Sequence, residues 1–479
     1  MSAIITNNFR RNSCQRFIND VLDAGTNYFV GIGKTDKWPD NAGFTEDDSQ
    51  FSIPLPNGTI MEDTDVLDNL LALVRVKNQD VLIPRNTWSS GRTYKVYNPY
   101  DPLVFDLEGS YYPCYITVND NIYVCLGNNN NGSSTVAPGA SYNTFDTSNH
   151  VVKTTDGYIW AFVQNNITTS SFYTEEFIPA NTDLSNVTNS KSATGGLLYG
   201  FSIEAAGTSL SGTEDIILDG VDENGDSIAS INLRTDSRFN VTTAAGAIAS
   251  IEYDDITTDA LIGYLKGSVQ VYNGGTLLDG VIIRPLIAPI NGFGASPRTD
   301  LPSYYAGCYA RFDGTVDGEA LIDTPIRQIS LIKDPQRRTT GATAGDDGAI
   351  YTDTEALDAS NYIQCSATSL TQDFPPGSMI KQGSVSRFYV DKVDLLTDRI
   401  YYHTNSNNDV NYSPLNASSD ITLESTDGVT TQTIPLANIN SIVESEYIHN
   451  TGEVLFIDHR NKIIRNTDQT EDIKIVIQF

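Results

Sequence analysis

The chain has 479 residues, with 60 Asp and Glu against 30 Lys and Arg, a formal charge of −30. Phosphate backbones are held by clustered Lys and Arg that release counterions; here the nearest features are the pairs Arg10-Arg11 and Arg337-Arg338, so nucleic acid is not an expected partner. An acidic surface instead favours solubility or basic protein partners, and with no run of roughly 18 apolar residues no membrane span is expected.

Charged residues make up only 19% of the chain, against about 25% in ordinary soluble proteins. The 25 Tyr, 36 Gly and 19 Pro lie among many Asn, Ser and Thr, a composition of strand formers and turn residues that predicts a mainly β protein. The length allows about two to four domains. The N-terminal "MSAIITNNFRRNSCQ" has no apolar centre, so a signal peptide is not expected.

From Asn8 to Leu22 the residues Phe9, Cys14, Phe17, Ile18, Val21 and Leu22 fall at helical spacing, with Asn7 or Asn8 to cap the start and Gly25 past the end. Tyr28 to Ile32 reads as a strand. A second helix is expected from about Asp65 to Val74, with Val66, Leu67, Leu70, Leu71 and Val74 on one face. "DVLIP" is a short strand, and "PCYITV" with "IYVCL" forms a hairpin around Asn119-Asp120. A long polar loop, "GNNNNGSSTVAPGASYNTFDTSNH", leads through the Asp156-Gly157 turn into "YIWAFV", which is apolar on both faces and predicts a buried central strand. Short strands with glycine turns fill about Ser192 to Leu286, with one possible helix near Thr257 to Leu265. "TPIRQISLIKDP" is a further strand, "QRRTTGATAGDDG" is linker-like, and Gly341 to Ile439 is again short-stranded. The alternating "IKIVIQF" predicts a strand docked in a sheet up to Phe479.

The "GKT" at Gly33-Lys34-Thr35 invites comparison with a phosphate loop. That motif needs a glycine five residues before Gly33 and a helix after the threonine. Tyr28 and Asp36-Lys37-Trp38-Pro39 stand there, so a strand-to-loop junction is expected. "DENGDS" at Asp222 to Ser227 lacks the glycine and the final acid of a calcium loop, leaving a hairpin turn. His150, His403, His449 and His459 form no H-E-x-x-H and are expected in solvent or loops. The acidic pairs Glu175-Glu176 and Asp254-Asp255 are ordinary in an acidic chain, although glycosidase partners can lie far apart in sequence. No catalytic residue, metal site or cofactor site emerges. Cys114 is expected opposite Cys125, which leaves both a disulfide and two reduced thiols possible.

The blocks "IITNNFR…NDV", "YFVGIGKTDKW" and "VLIPRNTWSSGRTYKVYNPYDP" resemble the baseplate wedge subunit family, of the gene 8 product type, of T-even-like contractile-tailed phages and especially its cyanophage relatives. "IYVCLGNNNNGSSTVAPG…TTDGYIWAFV", "APINGFGASPRTDL", "PIRQISLIKDP" and "TGEVLFIDHRNKIIRNTDQTEDIKIVIQF" continue the resemblance in family order. They cover roughly 1–180, 281–335 and 445–479. The resemblance implies a non-enzymatic structural protein of the virion, assembled in the host cytoplasm. It also implies a homodimer that contacts other baseplate wedge subunits, with no cofactor, nucleic acid or membrane partner.

The expected fold is mainly β (α+β): several β-sandwich-like domains with two N-terminal helices and a C-terminal strand returning to the N-terminal domain. Its expected parts are 1–90, an α+β core completed by 285–335 and 440–479; 91–190, a β region with the polar loop; 191–284, a β-sandwich-like domain; and 336–439, an extra small β domain. Candidate interface or packing residues are Trp38, Arg85, Trp88, Arg92, Tyr158, Trp160 and Phe479. Trp160, in a doubly apolar strand, is expected in a core. Trp38 and Trp88 fit either an interface or local packing. Arg85 and Arg92 suit carboxylate partners or open surface. The alternative function is a glycan-binding or glycan-cleaving tail protein, whose aromatic residues would stack on sugar rings. Such proteins often carry fibrous repeats, and none is visible here.

Overall fold

Strand-forming runs punctuated by Gly, Asn and Asp dominate the chain, and in the computed structural model strands take 49% of the residues and helices 9%. The fold is mainly β, built of several separate antiparallel sheets with few helices. The structure describes residues 5–38, 53–97, 112–129, 131–138, 151–165, 167, 170–180, 196–253, 261–289, 292–293, 296–301, 303–312, 323–338, 348–352, 356–383, 386–404, 415–416, 418–466 and 469–479. His150, Asp254, Asp255, the end of the polar loop and the centre of the linker-like segment lie outside them. Among the described residues no helix is long and apolar enough to cross a membrane. The chain divides into two compact units, one of residues 1–17, 80–307 and 476–479 and one of residues 18–79 and 308–475.

In the first unit, a four-stranded sheet runs in the order Tyr115–Val118, Asn121–Asn128, Tyr158–Gln164 and Val151–Lys153. Val118 pairs with Asn121, as the hairpin register requires, and Asn119 takes the left-handed conformation at φ +52° that asparagine tolerates best after glycine. The central strand is covered on both faces. Ala161 and Val163 join Tyr115, Ile122 and Val124 on one, while Tyr158, Trp160 and Phe162 join Ile116, Tyr123 and Cys125 on the other. Farther along, the strands between Leu198 and Ile287 enclose a single core of Leu198, Phe201, Ile216, Leu218, Leu233, Phe239, Ile248, Tyr264, Val271 and Ile283. The helix expected near Thr257 to Leu265 is not found in its described part. Leu261 and Leu265 instead form backbone hydrogen bonds with Leu198 and Val221, and a strand starts at Lys266. The chain end belongs to this unit too. The Phe479 ring lies 5.4 Å from that of Phe17, and its N–H donates to the Tyr304 carbonyl (2.9 Å).

In the second unit, a five-stranded antiparallel sheet has the order Leu357–Asp358, Leu70–Arg75, Tyr28–Gly33, Pro325–Lys333, Glu453–Ile464. The second helix is Ile60–Asp68, shorter and earlier than expected. Thr59 caps it, and the Glu62 carboxylate reaches back to the Asn57 and Gly58 N–H groups (2.7 Å each). Leu70 to Val74 is a strand buried at every position. A run apolar at all positions satisfies helical spacing and a strand covered on both faces equally well; here neighbouring strands cover it. A seven-stranded sheet follows in the order Thr431–Ile434, Ile421–Glu424, Met379–Gln382, Ser386–Asp394, Arg399–His403, Asn361–Cys365, Ile439–Val443. Its two edge strands are consecutive in the chain, joined by the short 3₁₀ turn Leu436–Asn438. The sheet therefore curls towards closure around one interior that includes Ile363, Phe374, Ile380, Phe388, Val390, Ile400, Ile421 and Leu423.

Deleting residues 473–479 removes buried Ile475 and the Phe479 contacts. The expected outcome is loss of soluble, folded protein; a truncated chain that melts as the full chain does contradicts it.

Candidate functional site

The segment that most resembles a ligand-binding motif, Gly31 to Trp38, is held on every side by its own unit. Gly31 pairs with Leu73 on one flank and Ser330 on the other. A Cβ there would lie 2.6 Å from Leu70 Cδ2 and 2.7 Å from Ser330 Oγ, and one at Gly33 would run into the Asn69 carbonyl. Both glycines thus serve close approach of neighbouring chains. Lys34 turns the chain at φ +59°, and its N–H donates to that same Asn69 carbonyl (3.1 Å). Its ammonium pairs with Asp36 (3.0 Å) and lies 4.8 Å from the centre of the Trp38 ring. Asp36 to Trp38, the described residues after Thr35, are not helical, and Gly31 and Gly33 sit in a strand whose neighbours leave no room for a ligand.

Thr35 is buried, and its hydroxyl donates to Asp391 Oδ1 (2.6 Å). The same oxygen lies 2.7 Å from His403 Nδ1, and both partners of this pair are almost fully buried. Burial works against a charged imidazole, but the Asp391 carboxylate outweighs it and holds the His403 pKa above its ordinary value. Burial likewise opposes ionisation of Asp36, and the charges of Lys34 and His403 outweigh it, so its pKa is lowered. The strand pairing explains the remaining clamps. Ile326 pairs with Ile463 and Gln328 with His459, so residues 460–462 oppose the single Arg327 in a bulge. Arg327, fully buried, donates to the Thr35 carbonyl. Across the bulge the Arg460 carbonyl accepts the Trp38 indole N–H (2.9 Å), and the Trp38 ring rests 4.5 Å from that of His459. Trp38 packs inside its own unit.

Four of the other candidates converge in the first unit. Trp160 stacks on Tyr158 (5.3 Å, 16°) in the core. The Tyr158 hydroxyl donates to the Gly132 carbonyl (2.6 Å) and accepts the Tyr94 N–H (3.2 Å). The Trp88 indole donates to Ser134 Oγ (3.0 Å), and Arg92 exchanges backbone pairing with Ser134 while its guanidinium covers the Tyr112 ring at 4.2 Å. Asp156 secures the loop by accepting the Thr135 and Val136 N–H groups (2.6 and 2.9 Å). Partial burial pushes its pKa up, but these bonds and that from Thr154 outweigh it, and the net shift is downward. The result is a stretch of the Asn-rich loop fastened to an aromatic core. Arg85 stands apart, 4.8 Å over the Tyr173 ring and donating to the Thr174 carbonyl (3.4 Å). Among the described residues, tyrosine rings rather than carboxylates are the side-chain partners of Arg85 and Arg92.

Chemistry is poorly served by these arrangements. The Thr35 hydroxyl donates to the carboxylate rather than to a histidine base, so it is positioned and not activated. All five cysteines are free and buried, and burial raises Cys14, Cys114 and Cys308 to about 12 and Cys365 to about 11, leaving thiols rather than thiolates. Cys114 and Cys125 are adjacent in register yet belong to cores on opposite faces, which excludes a disulfide. Asp222 accepts the Asn224 and Asp226 N–H groups (2.9 Å each) in a plain hairpin turn, and no metal-holding group of His, Cys, Asp or Glu occurs among the described residues. Two histidines depart from expectation: His403 lies buried on a strand, and His459, also on a strand, is tied to Gln328 (3.1 Å); His449 sits in a turn as expected, tied to Asn361 (3.1 Å). Sequence reasoning missed Asp391, His403 and Arg327, because nothing in their local patterns points to Thr35, hundreds of residues away.

No known family model matches the sequence, and no curated protein matches it.

Thr35→Val keeps the shape but removes a hydrogen bond to a buried charge, which costs about 2 kcal/mol; denaturant unfolding measures it. His403, with its pKa raised in the fold, contributes stability below its ordinary value of 6.5 and loses that contribution as pH rises through the folded value. The stability difference between the wild type and His403→Asn should shrink on going from pH 6 to pH 9. A difference that stays constant or grows contradicts the pairing.

Proposed function

We propose that this chain is a structural component of a phage tail baseplate wedge, connecting wedge subunits in a contractile tail. The observation that carries the proposal is the ordered series of sequence blocks, from "IITNNFR" to "IKIVIQF", that resembles wedge subunits of the gene 8 product type. The geometry supports it from another side. Trp38, Trp88 and Trp160 lie in those blocks, and each anchors a chain segment within its own unit through ring packing or an indole hydrogen bond. Thr35, Asp391 and His403, with Lys34 the groups most suggestive of chemistry, are engaged with one another, and the Lys34 ammonium is paired with Asp36. Such use of polar groups suits a rigid scaffold better than a turnover site.

On this proposal the protein is not an enzyme and takes no cofactor. It pairs with a second copy of itself, binds other wedge subunits and resides in the virion's tail baseplate after assembly in the host cytoplasm. Nucleic acid and membrane are not its partners. Size-exclusion chromatography with light scattering should give twice the chain mass of 52.3 kDa, and co-expression with wedge proteins should yield a complex that contains the chain. A chain that stays out of wedge complexes contradicts the proposal, and a trimer favours the glycan-binding alternative.

A further inference from the structure

Four Asn-Gly steps lie wholly within the described residues: Asn57-Gly58, Asn131-Gly132, Asn224-Gly225 and Asn273-Gly274. An asparagine followed by glycine can react with its own chain. The glycine's backbone nitrogen attacks the side-chain carbonyl carbon of the asparagine, a cyclic imide closes, and ammonia leaves. Water then opens the ring at either carbonyl. The net change is hydrolysis of the side-chain amide to a carboxylate with release of ammonia, on a normal or an isoaspartyl backbone. Glycine lacks the Cβ that would obstruct the attack. All four asparagines are exposed, so exposure does not choose among them; the bonding of the attacking nitrogen does.

That nitrogen must give up its proton and swing towards the side chain, and an N–H already donating to an acceptor is held against both. The Gly58 N–H donates to Glu62 Oε2 (2.7 Å), the Gly132 N–H to the Asn128 and Asn129 carbonyls (3.1 and 3.0 Å), and the Gly225 N–H to the Asp222 carbonyl (3.1 Å). Two of the asparagine side chains are engaged as well. Asn57 Oδ1 accepts the Thr59 N–H (3.0 Å), and Asn131 Oδ1 accepts the Asn128 amide (2.9 Å). At the fourth step, neither the Gly274 N–H nor the Asn273 side chain has a partner among the described residues. The turn explains this. Asn273 pairs with Thr276, and Gly274 and Gly275 between them have φ +56° and +85°, a two-residue hairpin turn with both central residues left-handed. Such a turn bonds through its flanking residues and leaves the N–H of its first central residue to solvent. A Cβ placed at Gly274 would meet nothing within 4 Å, so the approach is open.

We propose that Asn273 is a site of spontaneous deamidation in the folded chain, with water as the co-reactant. The modification adds a carboxylate at the tip of the hairpin formed by Lys266–Asn273 and Thr276–Leu277. Its isoaspartyl form also inserts a methylene into the main chain at the residue whose pairing with Thr276 closes the hairpin.

The test is incubation of the full chain at mildly alkaline pH, followed by peptide mapping that resolves asparagine, aspartate and isoaspartate at the four steps. It is run in parallel on the folded chain and on the chain in concentrated denaturant. In the folded chain Asn273 should convert about tenfold faster than Asn57, Asn131 and Asn224. In denaturant, where the hydrogen bonds are gone, the four rates should converge. An Asn273 rate no higher than the other three in the folded chain overturns the proposal. So does the same ranking and spread in denaturant, which traces the difference to local sequence and not to the fold.

Discussion

The Asp391 carboxylate is the constraint on which the second unit turns. A buried charge is tolerated only with close partners, and one oxygen of Asp391 takes both Thr35 and His403. Thr35 follows the strand Tyr28–Gly33 of the five-stranded sheet, whereas Asp391 and His403 lie on neighbouring strands of the seven-stranded sheet. The pairing therefore ties the two sheets of this unit at a fixed point. Replacing such a group with apolar atoms need not cost much, but removing one partner leaves a charge without its match, and this makes the contact specific.

The rest of the clamp serves the same end. The Gly31 and Gly33 backbones fit where a side chain would collide, and the bulge at Arg327 turns a guanidinium inward to the Thr35 carbonyl. Glu453–Ile464 is the outer strand of its sheet, an edge of the kind that attracts unwanted pairing. Trp38 occupies the Arg460 carbonyl in the bulge of that strand, so the indole ends the clamped segment. In the first unit the logic is parallel: Tyr158 and Trp88 fasten a polar loop to an aromatic core.

Much of this was legible in local pattern. The helix Asn7–Leu22, the hairpin register at Val118 and Asn121, and the doubly buried strand around Trp160 follow from periodicity and turn residues within a few positions of one another. Leu70 to Val74 was not legible, because five consecutive apolar residues satisfy helix and strand alike and the choice was made by distant strands. The link from Thr35 to Asp391 was not legible either. A polar group's partner 356 residues away leaves no trace in spacing, and the same holds for Trp38 and Arg460. Local sequence pattern indicates which segments are strands; it does not indicate which strands share a charge.

We propose a chain that serves as a rigid part of a larger assembly, with its reactive-looking groups spent on internal clamps. A density map of an assembled contractile-tail baseplate containing this chain tests that most directly. Two copies in each wedge, in contact with other wedge subunits, is the predicted result. Density for the chain only in fibres, or none in the wedges, would contradict it.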